Sequence, residues 1–162
     1  MTLSEQDRLA AEVLEAFRAR DLLLATAESC TGGGVAQALT AIPGSSKVVD
    51  RGYVTYSNEA KTEMLGVPPE LIARHGAVSE PVAEAMAEGA VARSRAQVAV
   101  AVTGIAGPGG SEHKPEGRVC FALAAPDRET HVETVDFGPL GRAQVRAASV
   151  LHALRLLRDA AG

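Results

Sequence analysis

Side chains able to carry out acyl-transfer chemistry occur early in the sequence, in the stretch ATAESCTGGGV. Ser29 and Cys30 are potential nucleophiles, and Gly32 and Gly33 follow them at the start of a predicted helix. Glycines at a helix start leave backbone N–H groups available to an anion or a developing oxyanion, although each weakens the helix relative to alanine. The alternative is structural, with Ser29 or Thr31 capping the helix. The stretch alone leaves both interpretations open.

The glycine pattern differs from three familiar motifs. No Lys-Ser/Thr pair follows the glycines, so the stretch is not a Walker A loop. The glycines are consecutive, unlike the spaced glycines of dinucleotide-binding folds. Ser29 precedes the glycines instead of lying between two of them, which excludes the G-x-S-x-G motif. The stretch therefore indicates a nucleophile or an anion-binding turn of another type.

A serine nucleophile needs a base, and histidine and lysine are the candidates. Of the four histidines, only His113 is predicted to lie in a glycine-rich loop, so a Ser-His-Asp triad is poorly supported. The chain has three lysines against thirteen arginines, and of the two types only lysine can lose its proton when it is desolvated. Lys61 lies in the first turn of a short predicted helix, after a strand that carries Tyr56, and the positive helix end favours loss of its proton. The alternative is a solvated surface lysine.

A second glycine-rich stretch, TGIAGPGG, follows the apolar segment QVAVAV. It is predicted to lie at the carboxyl end of a buried strand, where open α/β sheets bind ligands. Thr103 could offer a hydroxyl there, while Gly104, Gly107, Gly109 and Gly110 let a ligand approach the backbone. A mobile surface loop is the alternative for this stretch by itself. Two such turns, each after a buried strand, can meet at one edge of the sheet.

Two arginines and two cysteines complete the set of candidate residues. Arg142 and Arg146 lie one helical turn apart on the last predicted helix, where they share a face. A pair of guanidinium groups suits phosphate or carboxylate recognition, and a solvated helix face is the alternative. Cys30 and Cys120 have neither the number nor the spacing of a zinc site or a disulfide framework, which indicates buried thiols in a reducing compartment. No metal site is expected.

The order of predicted elements determines how these side chains can meet. Helices alternate with short apolar strands, then a hairpin follows, and a final helix ends the sequence. This order predicts an α/β fold, a three-layer α/β/α sandwich with a mixed, mostly parallel sheet. No linker, repeat or low-complexity segment is visible, so one domain over 1–162 is expected. The predicted helices span 4–20, 34–42, 59–65, 68–74, 81–94 and 139 onward, and the predicted strands span 22–27, 52–57, 97–103, 118–125 and 129–137.

Composition narrows the classes of partner. The formal net charge is -4 and the chain has no Trp, which disfavours nucleic acid and anionic membrane surfaces as partners. The N-terminal stretch is acidic and amphipathic, so no signal peptide is predicted, and no apolar run reaches transmembrane length. A cytoplasmic protein with a small-molecule substrate is expected. Its apolar helices favour a homo-oligomer.

Four segments resemble the CinA C-terminal domain family: AESCTGGGVAQALTAIPGSS, RGYVTYSNEAKTEMLGV, HGAVSEPVAEAMAEGA, and VAVTGIAGPGG followed by KPEG. They cover nearly the whole chain in order, and the chain resembles the stand-alone form of the family. The resemblance implies an α/β/α fold and a nicotinamide-nucleotide amidase. Such an enzyme hydrolyses nicotinamide mononucleotide to nicotinic acid mononucleotide and ammonia, with no metal or other cofactor.

The resemblance also implies roles for particular residues. Ser29 of ESCTGG corresponds to the nucleophile, and Lys61 of YSNEAK corresponds to its base partner. Tyr56 of the same motif corresponds to a residue that assists or orients them. Thr103 and the glycines around it would line the substrate pocket. Arg142 of GRAQVR corresponds to an arginine expected to bind substrate.

The amidase hypothesis adds a site for the oxyanion and meets two departures from the family pattern. Backbone N–H groups from Thr31 through Gly32 to Gly33 are expected to contact substrate by holding the oxyanion. Glu116 stands where the family usually has valine. The segment GPLGRAQVR lacks the acidic residue that usually precedes the arginine, which affects the assignment of Arg142.

Two alternatives stay open at this point. Cys30 is a rival nucleophile beside Ser29, although adjacent side chains in an extended segment point to opposite sides and only one of them can face a pocket. The alternative function is a non-catalytic nucleotide-binding or regulatory module, linked to competence or to the DNA damage response. Glycine turns bind phosphate equally well without chemistry.

Overall fold

The computed structural model describes residues 3–111 and 113–162; Glu112, which falls in the second predicted glycine-rich loop, lies outside the described residues. Within these ranges, six α-helices flank one sheet of five strands, and each helix is too short or too polar to cross a membrane. The strands are β1 Leu24–Glu28, β2 Val49–Val54, β3 Val98–Gly104, β4 Arg118–Ala124 and β5 His131–Asp136. The helices are α1 Glu5–Ala19, α2 Gly34–Thr40, α3 Asn58–Leu65, α4 Pro69–His75, α5 Glu80–Ala92 and α6 Arg142–Ala161, with a short 3-10 helix at Ser45–Lys47.

The sheet has the strand order β2-β1-β3-β4-β5. β1 pairs in parallel with β2 and β3, whereas β4 pairs antiparallel with β3 and with β5. The predicted α/β fold with a mixed sheet is confirmed: two pairings are parallel and two are antiparallel, and of the five strands described only β4 runs against the others. β1 and β3 are buried along nearly their whole length, which explains their continuous apolar sequences.

Alternate positions along the strands contribute to two separate cores, one on each face of the sheet. Val98, Val100 and Val102 of β3 belong to the core that includes residues of α1, α2 and α6. Ala99 and Ala101 point to the other face, where the core includes residues of α3, α4 and α5. The sheet therefore lies between two helical layers, with larger side chains on one face and smaller ones on the other.

Strand boundaries differ from the sequence prediction by up to three residues. β1 covers Leu24–Glu28 instead of 22–27, and β2 covers Val49–Val54 instead of 52–57. β2 lies at the edge of the sheet and is only partly buried, so its first half lacks the continuous apolar pattern of a central strand. Its β-branched successor Thr55 has the propensity of a strand residue, yet it follows the last residue of the strand.

Helix starts also differ from the prediction by one to three residues, except in α2. α3 is capped by Ser57, whose Oγ accepts from the Ala60 N–H at 3.0 Å, so the helix begins at Asn58 instead of residue 59. α6 begins at Arg142 instead of Pro139, because the residue before it, Gly141, has a φ of 94° that a helix does not allow.

The carboxyl ends of the three parallel strands meet at one edge of the sheet. Glu28, which ends β1, is in register with Val54 of β2 and with Val102 of β3. The Ser29 N–H donates to Val102 O at 2.9 Å, and the Thr55 N–H donates to Glu28 O at 2.8 Å. The sheet ladder therefore still holds the residues immediately beyond β1 and β2, and they lie side by side.

Candidate active site

The residues that follow β1 form a tight turn, residues 29–33, called the serine turn below. Ser29 is 8% exposed, and its Oγ lies 3.0 Å from the Nζ of Lys61, which is 32 positions away in sequence. Lys61 is 1% exposed and is therefore not a solvated surface lysine. The two residues form a buried hydroxyl–amine pair.

Two backbone carbonyls fix the direction of the Lys61 amine. Nζ lies 2.9 Å from Thr55 O and 3.3 Å from Tyr56 O. Because a carbonyl oxygen can only accept, a neutral amine that donates to both carbonyls turns its lone pair toward the Ser29 hydroxyl. The pair has the geometry of a serine hydroxyl beside a general base.

The short helix α3 delivers Lys61 to this position. The Lys61 N–H donates to Ser57 O at 3.2 Å, one turn into the helix. Lys61 and Leu65 are the buried residues of α3, and their spacing of four places both on its inner face. Gly66 ends the helix with a φ of 72°, a left-handed conformation that favours glycine. The sequence therefore builds a helix whose inner face carries the amine to the sheet edge.

Sequence reasoning did not single out Glu28, which lies directly before the serine turn and is fully buried, at 0% exposure. Its Oε1 accepts from Thr31 Oγ1 at 2.5 Å and from the Val35 N–H at 2.9 Å, and its Oε2 accepts from the Ala36 N–H at 3.0 Å. Glu28 thereby ties the end of β1 to the start of α2. The available signal was a carboxylate at the end of an apolar strand, since a buried charge requires partners.

Cys30, the rival nucleophile, is buried in the same turn. Burial raises the pKa of the Cys30 thiol to about 12, and the nearby Glu28 carboxylate adds to the rise. The thiol is therefore protonated at neutral pH, whereas the thiolate is the nucleophilic form. Arg146 holds the backbone of the serine turn. Its Nε donates to Cys30 O at 3.1 Å, and its Nη2 donates to Thr31 O at 3.3 Å.

A cavity of about 440 Å³ lies over Ser29 and Lys61. Its walls come from the serine turn, the β2–α3 connection, α3, the α4–α5 connection, the start of α6, and residues 103–111. Residues 104–111 and 113–117 are called the glycine loop below. In the described lining Arg142 is a cationic side chain and no side chain is acidic, so the cavity suits an anionic ligand. The lining residues are Ser29, Cys30, Tyr56, Asn58, Lys61, Ala77, Val78, Thr103, Gly104, Ile105, Ala106, Gly107, Pro108, Gly109, Gly110, Ser111 and Arg142.

Two side chains of the glycine loop fix its outer part. Glu116 Oε1 accepts from the Gly109 N–H at 2.6 Å, so the carboxylate found in place of the expected valine has a defined partner. Lys114 Nζ donates to His75 O at 2.8 Å and to Val78 O. The loop is thus joined to the α4–α5 connection across the cavity wall.

Tyr56 and Arg142 meet beside the cavity. Tyr56 is 61% exposed, and its hydroxyl accepts from Arg142 Nη2 at 2.8 Å. Arg142 Nη1 donates to Gly107 O at 2.7 Å. Arg142 therefore bridges the β2–α3 connection and the glycine loop. The Tyr56 hydroxyl contacts this guanidinium, while the Tyr56 backbone carbonyl contacts the Lys61 amine.

Most of the residues predicted for the site line this one cavity: Ser29, Lys61, Tyr56, Thr103, Gly104, Gly107, Gly109, Gly110 and Arg142. The Thr103 hydroxyl donates to Ala77 O at 2.9 Å and holds the cavity wall. Asn58 and Ser111 also line the cavity, although sequence reasoning did not assign them a role. Their only signal was their position beside Tyr56 and Gly110.

The structure does not bring Thr31, Gly32 and Gly33 to the cavity lining. The Thr31 hydroxyl donates to Glu28, and the Gly32 N–H donates to Ser29 O at 3.0 Å. The Thr31 hydroxyl and the Gly32 N–H thus help to build the turn. The four histidines are likewise outside the described lining, and no cluster of metal-ligating side chains occurs within 3–111 and 113–162.

Comparison with known proteins adds a family match. The model of the CinA C-terminal domain matches residues 6–161. "Nicotinamide-nucleotide amidohydrolase PncC" of Escherichia coli (strain K12) is 50% identical over 158 residues, which is 97% of this chain and 95% of that relative. The "CinA-like protein" of Synechococcus sp. (strain RCC307) is 51% identical over 156 residues, and that of Mycobacterium marinum is 52% identical over 158 residues. The matches cover 96% and 97% of this chain but only 37% and 36% of those longer relatives.

Solved structures show the same fold. The crystal structure of the competence/damage inducible protein CihA from Agrobacterium tumefaciens superposes with a TM-score of 0.95 at 48% identity, and the match covers 100% of both chains. A CinA superfamily protein from Klebsiella pneumoniae gives a TM-score of 0.92 at 36% identity, over 96% of this chain and 97% of that one.

Proposed function

The chain belongs to the CinA C-terminal domain family, and we propose that it is an amidohydrolase that converts nicotinamide mononucleotide to nicotinic acid mononucleotide and ammonia. The observation that carries the proposal is the 3.0 Å separation of Lys61 Nζ and Ser29 Oγ beside a cavity suited to an anion. The Escherichia coli relative named for this activity is 50% identical and has nearly the same length, which supports the substrate.

In the first step, Lys61 accepts the proton of the Ser29 hydroxyl while Oγ attacks the carboxamide carbon. A bond forms between Oγ and this carbon. The C–N bond then breaks, and the Lys61 ammonium gives its proton to the leaving nitrogen, which departs as ammonia. An ester joins Ser29 to the substrate, and Lys61 is neutral again.

In the second step, water hydrolyses this ester. Lys61 takes a proton from the water while its oxygen attacks the ester carbon. The bond between carbon and Ser29 Oγ breaks, and Oγ regains a proton from Lys61. One amide and one water have become one carboxylic acid and one ammonia, and the pair has returned to its starting state.

Arg142 is the cation that we assign to the phosphate of the substrate, because a guanidinium fork suits phosphate oxygens. Arg142 donates to the Tyr56 hydroxyl and to Gly107 O. Because both acceptors are neutral, neither neutralises its positive charge. Tyr56 then acts by orienting Arg142. The glycine backbone of the loop lets the ribose approach closely.

Ammonia release from nicotinamide mononucleotide tests the activity, with nicotinamide riboside as the matched substrate that lacks the phosphate. We expect one equivalent of ammonia and one of acid per mononucleotide, and a higher KM for the riboside. Thermal stabilisation by the mononucleotide without ammonia would contradict the enzyme. It would support the alternative, a non-catalytic nucleotide-binding module.

A further inference from the structure

We propose that Glu28 is a positioning residue for the Ser29–Lys61 pair, because its buried carboxylate fixes the turn that carries Ser29 and its charge acts on Lys61. The inference rests on the proposed function only in taking Ser29 as the nucleophile and Lys61 as its base. Glu28 touches neither the cavity nor Ser29 Oγ among the contacts described, so it acts through the turn.

Burial of the Glu28 carboxylate costs desolvation free energy. At 0% exposure, a carboxylate loses its hydration, and the loss is tolerated only when hydrogen bonds replace the water. The Thr31 hydroxyl and the N–H groups of Val35 and Ala36 supply three such bonds, at 2.5, 2.9 and 3.0 Å. A capping serine at the helix start would have met much of this need without a buried charge.

The three bonds span the serine turn. Glu28 lies directly before Ser29, whereas the three partners of Glu28 lie two, six and seven positions after Ser29. One carboxylate therefore holds both ends of the turn. On the strand side, the Ser29 N–H donates to Val102 O at 2.9 Å. Ser29 therefore lies between two anchored points, which restricts where its Oγ can go. Misplacing a reacting atom by about 1 Å can cost on the order of 10²-fold in rate.

The charge of Glu28 also acts on Cys30, the residue beside Ser29. The Cys30 thiol lies in the same turn, and its pKa responds to the Glu28 carboxylate in one direction and to Arg146 and Lys61 in the other. The Glu28 carboxylate, the Arg146 guanidinium and the ammonium form of Lys61 thus all act on this turn, where burial leaves charges weakly screened. Among the described residues, Arg142 of α6 and Tyr56 of the β2–α3 connection are further charged or titratable groups that line the cavity beside Lys61.

A negative charge at Glu28 stabilises the ammonium that Lys61 becomes when it takes the Ser29 proton. The same charge requires a higher pH before Lys61 is neutral in the resting enzyme. If the charge of Glu28 is removed, Lys61 becomes neutral at a lower pH. The acid limb of the pH profile of kcat/KM therefore moves to lower pH. A purely structural role for Glu28 does not move this limb.

Three variants separate geometry from charge. Glu28→Gln keeps the size of the side chain but removes the charge and one acceptor. Glu28→Asp keeps the charge but shortens the reach to α2. Thr31→Val keeps the carboxylate and removes only the Oγ1 donor. Thermal melts report how much of each variant is folded at the assay temperature.

The measurement is kcat and KM for ammonia release across the pH range, together with the rate at which a fluorophosphonate labels Ser29. In that labelling, an Oγ–P bond forms and fluoride leaves, so the rate reports the nucleophile without requiring any amide substrate. For Glu28→Gln we expect kcat and the labelling rate to fall about 10- to 100-fold with KM little changed, and the acid limb to move to lower pH. Glu28→Asp and Thr31→Val should lower kcat less and leave the acid limb in place.

The inference is overturned if folded Glu28→Gln keeps the wild-type acid limb and labelling rate. If Glu28→Gln does not fold, unchanged kcat and labelling in both Glu28→Asp and Thr31→Val overturn it instead. A wild-type protein that is labelled at Ser29 but releases no ammonia contradicts the proposed function alone. In that case slower labelling of Glu28→Gln still supports the positioning role.

Discussion

The serine turn and the glycine loop border the same cavity but are built in opposite ways. In the serine turn, Ser29 is 8% exposed and the fully buried Glu28 ties the backbone to α2. In the glycine loop, residues 108–111 are exposed. That loop is held from its far end, where Glu116 accepts from Gly109 and Lys114 donates across the cavity wall.

The difference separates two tasks. Bond formation requires a nucleophile held to within a fraction of an ångström, and buried hydrogen bonds provide that restraint. Substrate entry requires an accessible surface, and exposed backbone with little side-chain bulk provides that access. We therefore expect substitutions around the turn to lower kcat and substitutions around the loop to raise KM.

Among the variants that keep Ser29, Lys61→Met is expected to have the largest effect. It preserves an unbranched apolar chain in a buried position but removes the base, so kcat should fall roughly 10²- to 10⁴-fold with KM little changed. Lys61→Arg is the matched control, because it keeps a cation that cannot be deprotonated, and it should be as inactive as Lys61→Met. Steady-state ammonia release measures both. Near-wild-type kcat in Lys61→Arg would exclude a base at this position.

Two arginines on α6 sharpen the comparison, since they lie one turn apart and serve different regions. Arg142 contacts the glycine loop and Tyr56, and Arg142→Ala should raise KM roughly 10- to 100-fold, the value of a charge-assisted hydrogen bond. Arg146 holds the carbonyls of the serine turn, and Arg146→Ala should lower kcat instead. Kinetics of the two variants test the division directly. The opposite pattern, with KM raised by Arg146→Ala alone, would break it.

Two glycines of the loop offer a smaller, matched effect on KM. Gly107 has a φ of 97°, and a Cβ there would lie 2.6 Å from Glu116 Cδ, so Gly107→Ala displaces Glu116 from Gly109. Gly109 has a φ of 81°, but a Cβ there meets nothing within 4 Å among the described residues. Both variants carry about 1–2 kcal/mol of backbone strain. We expect KM to rise about tenfold for Gly107→Ala and about threefold for Gly109→Ala; equal effects would show that Glu116 is irrelevant.

Alkylation of Cys30 is expected to have the smallest effect. Because the pKa of the thiol is about 12, the thiol is protonated at neutral pH. The thiolate becomes abundant only as the pH approaches about 12. Treatment with iodoacetamide at about neutral pH should leave ammonia release unchanged, and inactivation should become faster only in strong alkali. Rapid inactivation near neutral pH that substrate prevents would indicate that Cys30 is the nucleophile instead of Ser29.

The sequence predicted most of the fold and most of the cavity lining because these depend on side-chain pattern. The continuous apolar runs of β1 and β3 indicated central strands, and the residues beyond them meet at one sheet edge. The edge strand β2 was misplaced because half-burial leaves no such run. The position of Lys61 on a short helix gave no measure of its burial.

The role of Glu28 could not be predicted, since two of its three partners are backbone N–H groups that carry no side-chain signal. For the same reason Thr31, Gly32 and Gly33 were predicted to face substrate. Their sequence allows either arrangement, whereas in the structure the Thr31 hydroxyl bonds Glu28 and the Gly32 N–H bonds Ser29 O.

The most direct test of the Ser29–Lys61 amidase is kcat for ammonia release by Ser29→Ala, measured beside Cys30→Ala. We expect Ser29→Ala to lose on the order of 10⁴-fold or more, as removal of a nucleophile does, while Cys30→Ala stays within about tenfold of wild type. A Ser29→Ala protein that keeps near-wild-type kcat would contradict the central claim.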